Sequence, residues 1–237
     1  MLVNIFSQEI LDEAWKIIRN QFPMAVWETV YVTITATFFA FLIGLPLGVI
    51  LVVGEKDGIL PLPKWLMQTI NTIVNLLRSV PFLILMILVF PLARFLVGTA
   101  VGTVASIVPL VIASFPFAAR LAESSLREIN PNIIEMAQSM GASPFQIIVK
   151  VMIPESVPSL LSNATIAITT ILGYSAMSGI IGGGGLGKIA INYGYYRYKY
   201  LVMLVAVILL IILVQLFQSI GTHLAVKSDK RLKNKSK

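Results

Sequence analysis

Five stretches of the chain are apolar over lengths that would cross a lipid bilayer as helices. A transmembrane helix needs about 20 predominantly apolar residues, and between these stretches the sequence turns polar or charged. The pattern predicts an all-α integral membrane protein with one transmembrane domain over residues 22–226. The predicted spans lie at about 29–53, 66–91, 97–119, 158–178 and 200–222.

The two ends of the chain differ from the spans. Residues 1–21 mix apolar side chains with acidic and basic ones, which predicts an amphipathic helix at the membrane interface. The segment starts acidic and has no apolar core followed by small residues, so it is unlike a signal peptide. Residues 227–237 form a basic tail that suits an anionic membrane surface. Its basic residues are Lys227, Lys230, Arg231, Lys233, Lys235 and Lys237.

Two features stand out within the first two spans. Arg78 lies in the second span, where a charge is costly unless the side chain reaches the interface or pairs inside an assembly, and nearby Lys64 favours the interface. Gly44 and Gly48 are four positions apart in the first span. This spacing predicts close helix packing or, because Pro46 lies between them, only a kink.

Residues 130–158 are the longest stretch outside the spans and termini, and they indicate a short helix, a turn and a second helix. Asn130 followed by proline is a typical helix start, and Gly141 can adopt the left-handed conformation that ends a helix. Ser143 begins a second helix with a capping-box pattern, and we expect Pro154 to stop it. The first helix is too short to cross a bilayer. Its apolar side therefore packs either on a partner or, as an ordinary connector, on this chain.

Composition excludes several functional classes. The 237 residues are 57% hydrophobic and 12% charged, with no cysteine and one histidine, His223. A soluble domain has roughly twice that charged fraction. The missing side chains leave no cysteine chemistry and no multi-histidine site, and a single histidine argues against histidine-based catalysis, so we predict no catalytic residue and no metal in this chain. We also expect no cofactor in this chain. The net charge of +7 could indicate nucleic acid, but basic residues concentrated in the tail favour a membrane surface, and no nucleic-acid partner is expected.

The distribution of positive charge predicts the orientation in the membrane. Five spans put the termini on opposite sides, and with a cytoplasmic C-terminus most of the 18 Lys and Arg residues fall inside. The positive-inside rule therefore favours an outside N-terminus and a cytoplasmic C-terminus. In that orientation the 130–158 loop faces the cytoplasm.

Two motifs resemble nucleotide-binding or catalytic signatures without completing them. The run from Gly182 to Lys188 has P-loop spacing, but Ile189 replaces the Ser or Thr that would hold magnesium, and no strand precedes it. We expect a flexible external loop there. Gly173–Met177 resembles half of a nucleophile elbow but lacks its last glycine, which counts against an intramembrane hydrolase.

The interior of the predicted spans is poor in charge. Apart from Arg78, no acid or base is expected deep in a span, which argues against a proton-coupled carrier and for energy supplied by another subunit. Neutral polar residues either line a solute path or join helices by hydrogen bonds, and Met177 is a candidate gate. The candidate path residues are Asn163, Tyr174, Ser175, Met177 and Ser178. Five spans form only part of a closed path, so a homodimer is expected.

The 130–158 loop carries a family resemblance. Glu135-Met136-Ala137, then Gly141 after three residues, then Val151–Pro154 after nine more, resembles the EAA-x3-G-x9-I-x-LP loop of bacterial ABC importer permeases. Met136 stands where that motif has alanine. In that family the loop is a coupling helix that seats in a groove of an ATPase subunit. The resemblance implies these ATPase-coupling residues: Glu135, Met136, Ala137, Gly141, Ala142, Ser143, Pro144 and Pro154.

Other segments are similar to methionine-importing members of that family, over about residues 24–223. They are Leu172–Gly179, Gly183–Gly187 and Asn192–Tyr195, while Arg78–Phe82 resembles a recurring segment of amino-acid ABC permeases. The resemblance implies a type I importer permease fold in the bacterial cytoplasmic membrane and a homodimer on two ATPase subunits that hold ATP and magnesium. It also implies an extracytoplasmic methionine-binding lipoprotein, with membrane lipid around the spans. Methionine, L- and also D-, is then the expected solute; another small amino acid and an ion-coupled secondary transporter are the alternatives.

Overall fold

The computed structural model describes residues 8–229. The start of the predicted N-terminal segment and the tail residues Lys230–Lys237 lie outside the described residues. Within 8–229 every regular element is helical. The α-helices are α1 Gln8–Val53, α2 Lys64–Ser79, α3 Phe82–Leu88, α4 Phe90–Val97, α5 Ile107–Arg127, α6 Pro131–Ser139, α7 Pro144–Ile147, α8 Ile153–Ser178, α9 Gly185–Ile189 and α10 Tyr200–Ser228. Two π-helices, Ile148–Met152 and Ala190–Tyr195, and a 3₁₀ turn, Gly179–Ile181, join some of them.

The predicted all-α membrane fold is confirmed. Among the described residues, four helical stretches are long and apolar enough to cross a membrane, and α2 with α3 makes a fifth if the bent pair counts as one span. The bend between α2 and α3 is 108°. It falls at Val80, which is extended because the following residue is Pro81. Hydropathy alone predicts one second span over about residues 66–91 and does not detect this break.

Helix α1 joins two elements that the sequence predicts as separate. It runs for 46 residues, about 69 Å, through both the N-terminal amphipathic segment and the first span. Ala14, Phe22 and Ala25 of this helix pack in one apolar cluster with Leu186 and Ile189. Burial of that apolar side against the rest of the chain favours a continuous helix, and the local sequence gives no sign of it.

The third and fourth spans begin at other residues than predicted. Helix α5 starts at Ile107 rather than near residue 97, because Gly98 caps α4 in a left-handed conformation and a non-helical loop follows. Helix α8 starts at Ile153 and continues through Pro154, so the prediction that this proline stops the helix is wrong. The preceding π-turn supplies the reason. Ile153 N–H already bonds to the carbonyl five residues back, and the missing N–H of the proline falls in the first turn of α8, where it costs little.

The described chain forms two compact units. The first contains residues up to Thr37, Phe82–Ile112 and Ile168–Leu216, and the second contains Phe38–Pro81, Ala113–Ala167 and the residues from Phe217. The first unit is built on the cluster that α1 forms with α9 and α10. The second unit is built on an apolar cluster that we call the loop core, which consists of Val53, Leu126, Ile129, Ala137, Ile147 and Met152.

The glycine pair in the first span marks close packing between helices. A Cβ added at Gly44 would lie 2.8 Å from Ala118 Cβ, and one at Gly48 would lie 2.7 Å from Ala119 O. Both distances are shorter than real Cβ contacts, so α1 and α5 approach each other closely at this point. Of the two interpretations of the spacing, close packing holds.

Candidate coupling site and translocation path

The 130–158 loop has the helix–turn–helix geometry that its sequence predicts. Asn130 Oδ1 accepts a 3.0 Å hydrogen bond from the backbone N–H of Asn132 and caps α6. Gly141 has φ +76° and reverses the chain. The capping box of α7 is formed in both directions: Ser143 N–H donates to Gln146 Oε1 at 2.9 Å, and Gln146 N–H donates to Ser143 Oγ at 3.4 Å. Local side chains therefore fix both helix starts.

One side of this loop is packed and the other is exposed. Ala137 and Ile147 are buried in the loop core, against the ends of α1 and α5. Three large apolar side chains around the turn are exposed: Met136 at 60%, Met140 at 80% and Phe145 at 73%. We call this set the apolar patch. The loop therefore packs one face on this chain and exposes apolar side chains on the other, which is a pattern typical of a docking surface.

The predicted coupling residues mostly lie together. Glu135, Gly141 and Ser143 are exposed beside the apolar patch, whereas Ala137 points into the loop core. Ala142 and Pro144 are half-buried at the turn. Pro154 is exposed at the start of α8, at the far end of the π-turn.

A cavity of about 310 Å³ lies between α6 and the turn that follows α1. Ile134 and Gln138 of α6 line one wall, and Val53, Glu55 and Ile59 line the other. The cavity therefore separates α6 from the turn that follows α1.

A row of charged and amide side chains runs from that turn along α5 to α2. Arg127 binds Glu55 through two hydrogen bonds of 2.6 and 3.1 Å and also binds Glu123 at 2.8 Å. Glu123 accepts a 2.6 Å bond from Arg120, which donates to Asn71 at 2.8 Å and to Asn75 at 2.9 Å. We call these six residues the polar row. Hydrogen bonds from Arg127 hold the pKa of Glu55 below its usual value.

Hydropathy placed Arg120, Glu123 and Arg127 beyond the border of the third span and the two asparagines inside the second span, so it did not bring these side chains together. Arg120 and Glu123 lie inside α5, which could itself cross a membrane, and Glu28 lies inside α1. Helices α1 and α5 therefore continue past the borders of the predicted spans, and they carry these charged side chains there. The available signal was the spacing of Arg120, Glu123 and Arg127, which puts them on one side of a helix at ion-pairing distance.

The predicted path residues have different surroundings. Asn163 Nδ2 donates to Leu121 O at 3.2 Å and to Ser125 Oγ at 2.8 Å, so its amide joins α8 to α5. Ser175 and Ser178 are buried and donate to carbonyls of their own helix.

Tyr174 and Met177 lie farther along α8, and they are more accessible than the two serines. Tyr174 is half-buried and stacks on Phe82, with ring centroids 4.4 Å apart and planes 7° from parallel. Met177 is 47% exposed.

The glycine-rich segment is packed, so the prediction of a flexible loop is wrong. Gly185 N–H donates to Glu28 Oε2 at 2.7 Å, and Leu186 N–H donates to Thr29 Oγ1 at 2.9 Å. Glu28 also accepts a 2.9 Å bond from Thr103 Oγ1. Two neighbouring side chains of α1 thus cap α9, a helix 157 positions away in sequence. We call this arrangement the α9 cap.

Close approaches explain why glycine occupies this segment. A Cβ at Gly184 would lie 2.6 Å from Glu28 Oε2, and one at Gly187 would overlap the backbone oxygen of Ala176. No group of three or more His, Cys, Asp or Glu within the described residues could hold a metal ion.

The comparisons with known proteins agree with this architecture. Residues 44–227 match the family model of the binding-protein-dependent transport system inner membrane component. A probable D-methionine transport system permease protein MetI of Vibrio cholerae is 49% identical over 208 residues, which cover 87% of this chain and 92% of that one. The D-methionine transport system permease protein MetI of Escherichia coli K12 is 45% identical over 165 residues, which cover 70% of this chain and 73% of that one.

Solved structures give the same result. A chain from an inward-facing MetNI methionine ABC transporter superposes with a TM-score of 0.86 at 41% identity, covering 95% of this chain and all of that chain. A chain of an amino acid ABC transporter superposes at 0.73 with 17% identity, which supports the fold alone. Since the family model and the relatives each cover most of the sequence, this chain belongs to the family of binding-protein-dependent transport system inner membrane components, as a non-catalytic permease subunit of an ABC transporter.

Proposed function

We propose that this chain is the permease subunit of an ATP-driven importer that carries methionine across the cytoplasmic membrane. The observation that carries the proposal is 49% identity over 87% of the chain to a relative named as a D-methionine permease. The close superposition on a methionine transporter chain supports it independently. Both L- and D-methionine are candidate substrates.

The proposed assembly contains two copies of this chain, two ATPase subunits that bind ATP and magnesium, and an extracytoplasmic methionine-binding protein. In the apolar window of α10, only 11% of residues are buried within the described chain, so this helix has surface for lipid or a second copy. We place the N-terminus outside and the C-terminus in the cytoplasm, with the basic tail at the anionic inner surface.

The ATPase docks on the 130–158 loop in this proposal. The apolar patch and the exposed Glu135 form the docking face, and Ala137 anchors α6 on the loop core. Gly141 and the Ser143 cap set the turn that presents the patch, and Ala142 and Pro144 shape it. Pro154 lies in the first turn of α8, so displacement of the loop passes directly into a spanning helix. When ATP closes the two ATPase subunits, this push drives the spans between inward and outward openings.

We assign Tyr174 and Met177 to the solute path, with Met177 as the gate. Met177 is exposed in the described chain, and its unbranched side chain can adapt to a moving partner surface. Ser175 and Ser178 support the path from inside α8, because their hydroxyl groups bind its own carbonyls. Asn163 holds α8 against α5.

Uptake of labelled methionine tests the function. A strain that lacks this chain is compared with its complemented partner, with excess unlabelled amino acids as competitors. We expect uptake to fall on deletion and return on complementation, with weak competition by other amino acids. If methionine uptake is unchanged and the uptake of another amino acid is lost, methionine is not the substrate, and the role as a permease still holds.

Coupling is tested with Gly141→Pro. The new residue cannot adopt the positive φ of this position, so the turn must rearrange. We expect normal membrane insertion and ATP hydrolysis that no longer drives uptake. Wild-type uptake by this variant would refute the coupling role of the loop.

A further inference from the structure

The polar row connects the coupling loop to helix α2. At one end, Glu55 lines the cavity that α6 also lines. In the middle, Glu123 and Arg127 lie on α5, whose Leu126 belongs with Ala137 to the loop core. At the other end, Arg120 donates to two asparagines of α2. Every link is a hydrogen bond or ion pair between 2.6 and 3.1 Å.

The row is balanced in charge, and each of its side chains has a hydrogen-bond partner within the row. Glu55, Arg127, Glu123 and Arg120 alternate in sign, and the two asparagines end it with neutral acceptors. The side chain of Glu123 is only 12% exposed and is bound by both arginines. Because charge-assisted hydrogen bonds are strong and the planar fork of arginine adds geometric specificity, such a chain fixes the relative orientation of the side chains that it joins.

Helix α2 meets α5 through polar side chains. Within α2, all of which the structure describes, Val74 is the one buried residue. Asn71 and Asn75 lie one turn apart on the face that meets Arg120. The helix ends at Ser79, directly before the 108° break into α3. Two hydrogen bonds from Arg120 therefore hold α2 beside α5, in addition to the packing of Val74.

We propose that the polar row carries movement of the coupling loop to α2, with Arg120 and Glu123 as positioning residues for ATP-coupled transport. This inference rests on the proposed coupling role of the 130–158 loop. When α6 shifts, the turn at Glu55 and the end of α5 shift with it, and Arg120 moves α2 in step. Without Arg120, the ATPase still docks and hydrolyses ATP, but α2 no longer follows.

The test uses the complete complex of permease, ATPase and binding protein in liposomes. Arg120→Met is compared with Arg94→Met, because Arg94 is an exposed arginine on α4 and outside the row. ATP hydrolysis and methionine uptake are measured together, with the amount of assembled complex. We expect Arg120→Met to keep at least half of the ATP hydrolysis and to lose about tenfold in solute moved per ATP. We expect Arg94→Met to match wild type.

Two further variants test the role of the arginine fork and cover the case in which Arg120→Met does not assemble. Arg120→Lys keeps the charge and loses the fork, so we expect partial recovery of coupling. If Arg120→Met does not assemble, the double variant Asn71→Ala, Asn75→Ala removes the acceptors without changing charge, and we expect a several-fold loss of solute moved per ATP. A purely structural role lowers the amount of assembled complex and leaves that ratio unchanged. A wild-type ratio in assembled Arg120→Met, or in the asparagine variant, overturns the proposal.

The same preparation separates this inference from the proposed function. If wild type moves no methionine, the proposed substrate fails, and if Gly141→Pro stays coupled, the proposed coupling role of the 130–158 loop fails. If both controls behave as expected and Arg120→Met remains coupled, only the polar row fails.

Discussion

Glycine is required for different reasons in the coupling loop and in the glycine-rich segment. At Gly141 the backbone has φ +76°, and an added Cβ would meet no described heavy atom within 4 Å. At Gly184 and Gly187 neighbouring atoms exclude a side chain. An added Cβ would collide with Glu28 Oε2 at Gly184 and with the backbone oxygen of Ala176 at Gly187. The first position needs an unusual conformation, whereas the other two need the absence of a side chain.

This difference separates a surface turn from a locked segment. The turn at Gly141 has open space around it and exposed neighbours, so it can move with a docked partner at little packing cost. The glycine-rich segment is held by the α9 cap and by close backbone contacts, so movement there breaks several interactions at once. The effects of substitutions in the two regions should therefore differ in size, and different second substitutions should restore stability or coupling.

The largest effect is expected for Gly187→Ala. The new methyl group would overlap a backbone oxygen, which cannot move aside as a flexible side chain can, so α8 and α9 must separate. Overpacking of this kind costs about 3 kcal/mol. We expect a thermal midpoint in detergent several degrees lower and a reduced yield. Gly173→Ala is the matched control, because that glycine has open space within α8 and should keep or raise the midpoint.

The contrast also shows which features the sequence could predict. Asn130, Gly141 and the Ser143 capping box act on residues within a few positions, and their geometry follows from local patterns. The number and helical nature of the spans follow from apolar length, which needs no tertiary contact. These parts of the fold and of the coupling site were accessible from sequence.

Features set by distant residues were not accessible. The α9 cap joins residues 157 positions apart. Without knowledge of that contact, the glycines alone predict a flexible loop. Helix α1 continues past residue 21 because it packs on α9 and α10. Pro154 is tolerated because the π-helix Ile148–Met152 precedes it, and the local composition does not predict that π-helix. The polar row had only the spacing within α5 as a signal.

The second largest effect is expected for Glu28→Ala. This change leaves the Gly185 N–H and the Thr103 hydroxyl without their acceptor in a packed site, which costs about 1–3 kcal/mol. Glu28→Gln keeps one carbonyl oxygen, so a smaller loss is expected. Thermal unfolding of both variants checks the order. Equal midpoints for wild type and Glu28→Ala would contradict the view that the α9 cap holds this segment.

Gly141→Ala should have a smaller and local effect. The left-handed conformation costs a non-glycine residue about 1 kcal/mol, and no clash adds to it. Gly141→Asn is the informative comparison, because asparagine tolerates this conformation better than alanine. We expect asparagine to restore much of the lost coupling, measured as solute moved per ATP. Restoration by asparagine at Gly187 is not expected, since that site rejects any side chain.

The smallest effect is expected for Ser143→Ala, and it tests whether the turn is fixed locally. Loss of an N-cap costs about 1 kcal/mol in general, and here the hydrogen bond from Gln146 N–H is long at 3.4 Å, so the loss should be at the low end of that range. Ser143 and Gly141 shape the same turn, and their effects should not add: once Gly141→Ala has distorted the turn, the cap has less to stabilise. A double-mutant cycle on hydrogen-exchange protection of α7 measures this coupling. Strict additivity would mean that the loop core, rather than the turn, holds α7 in place.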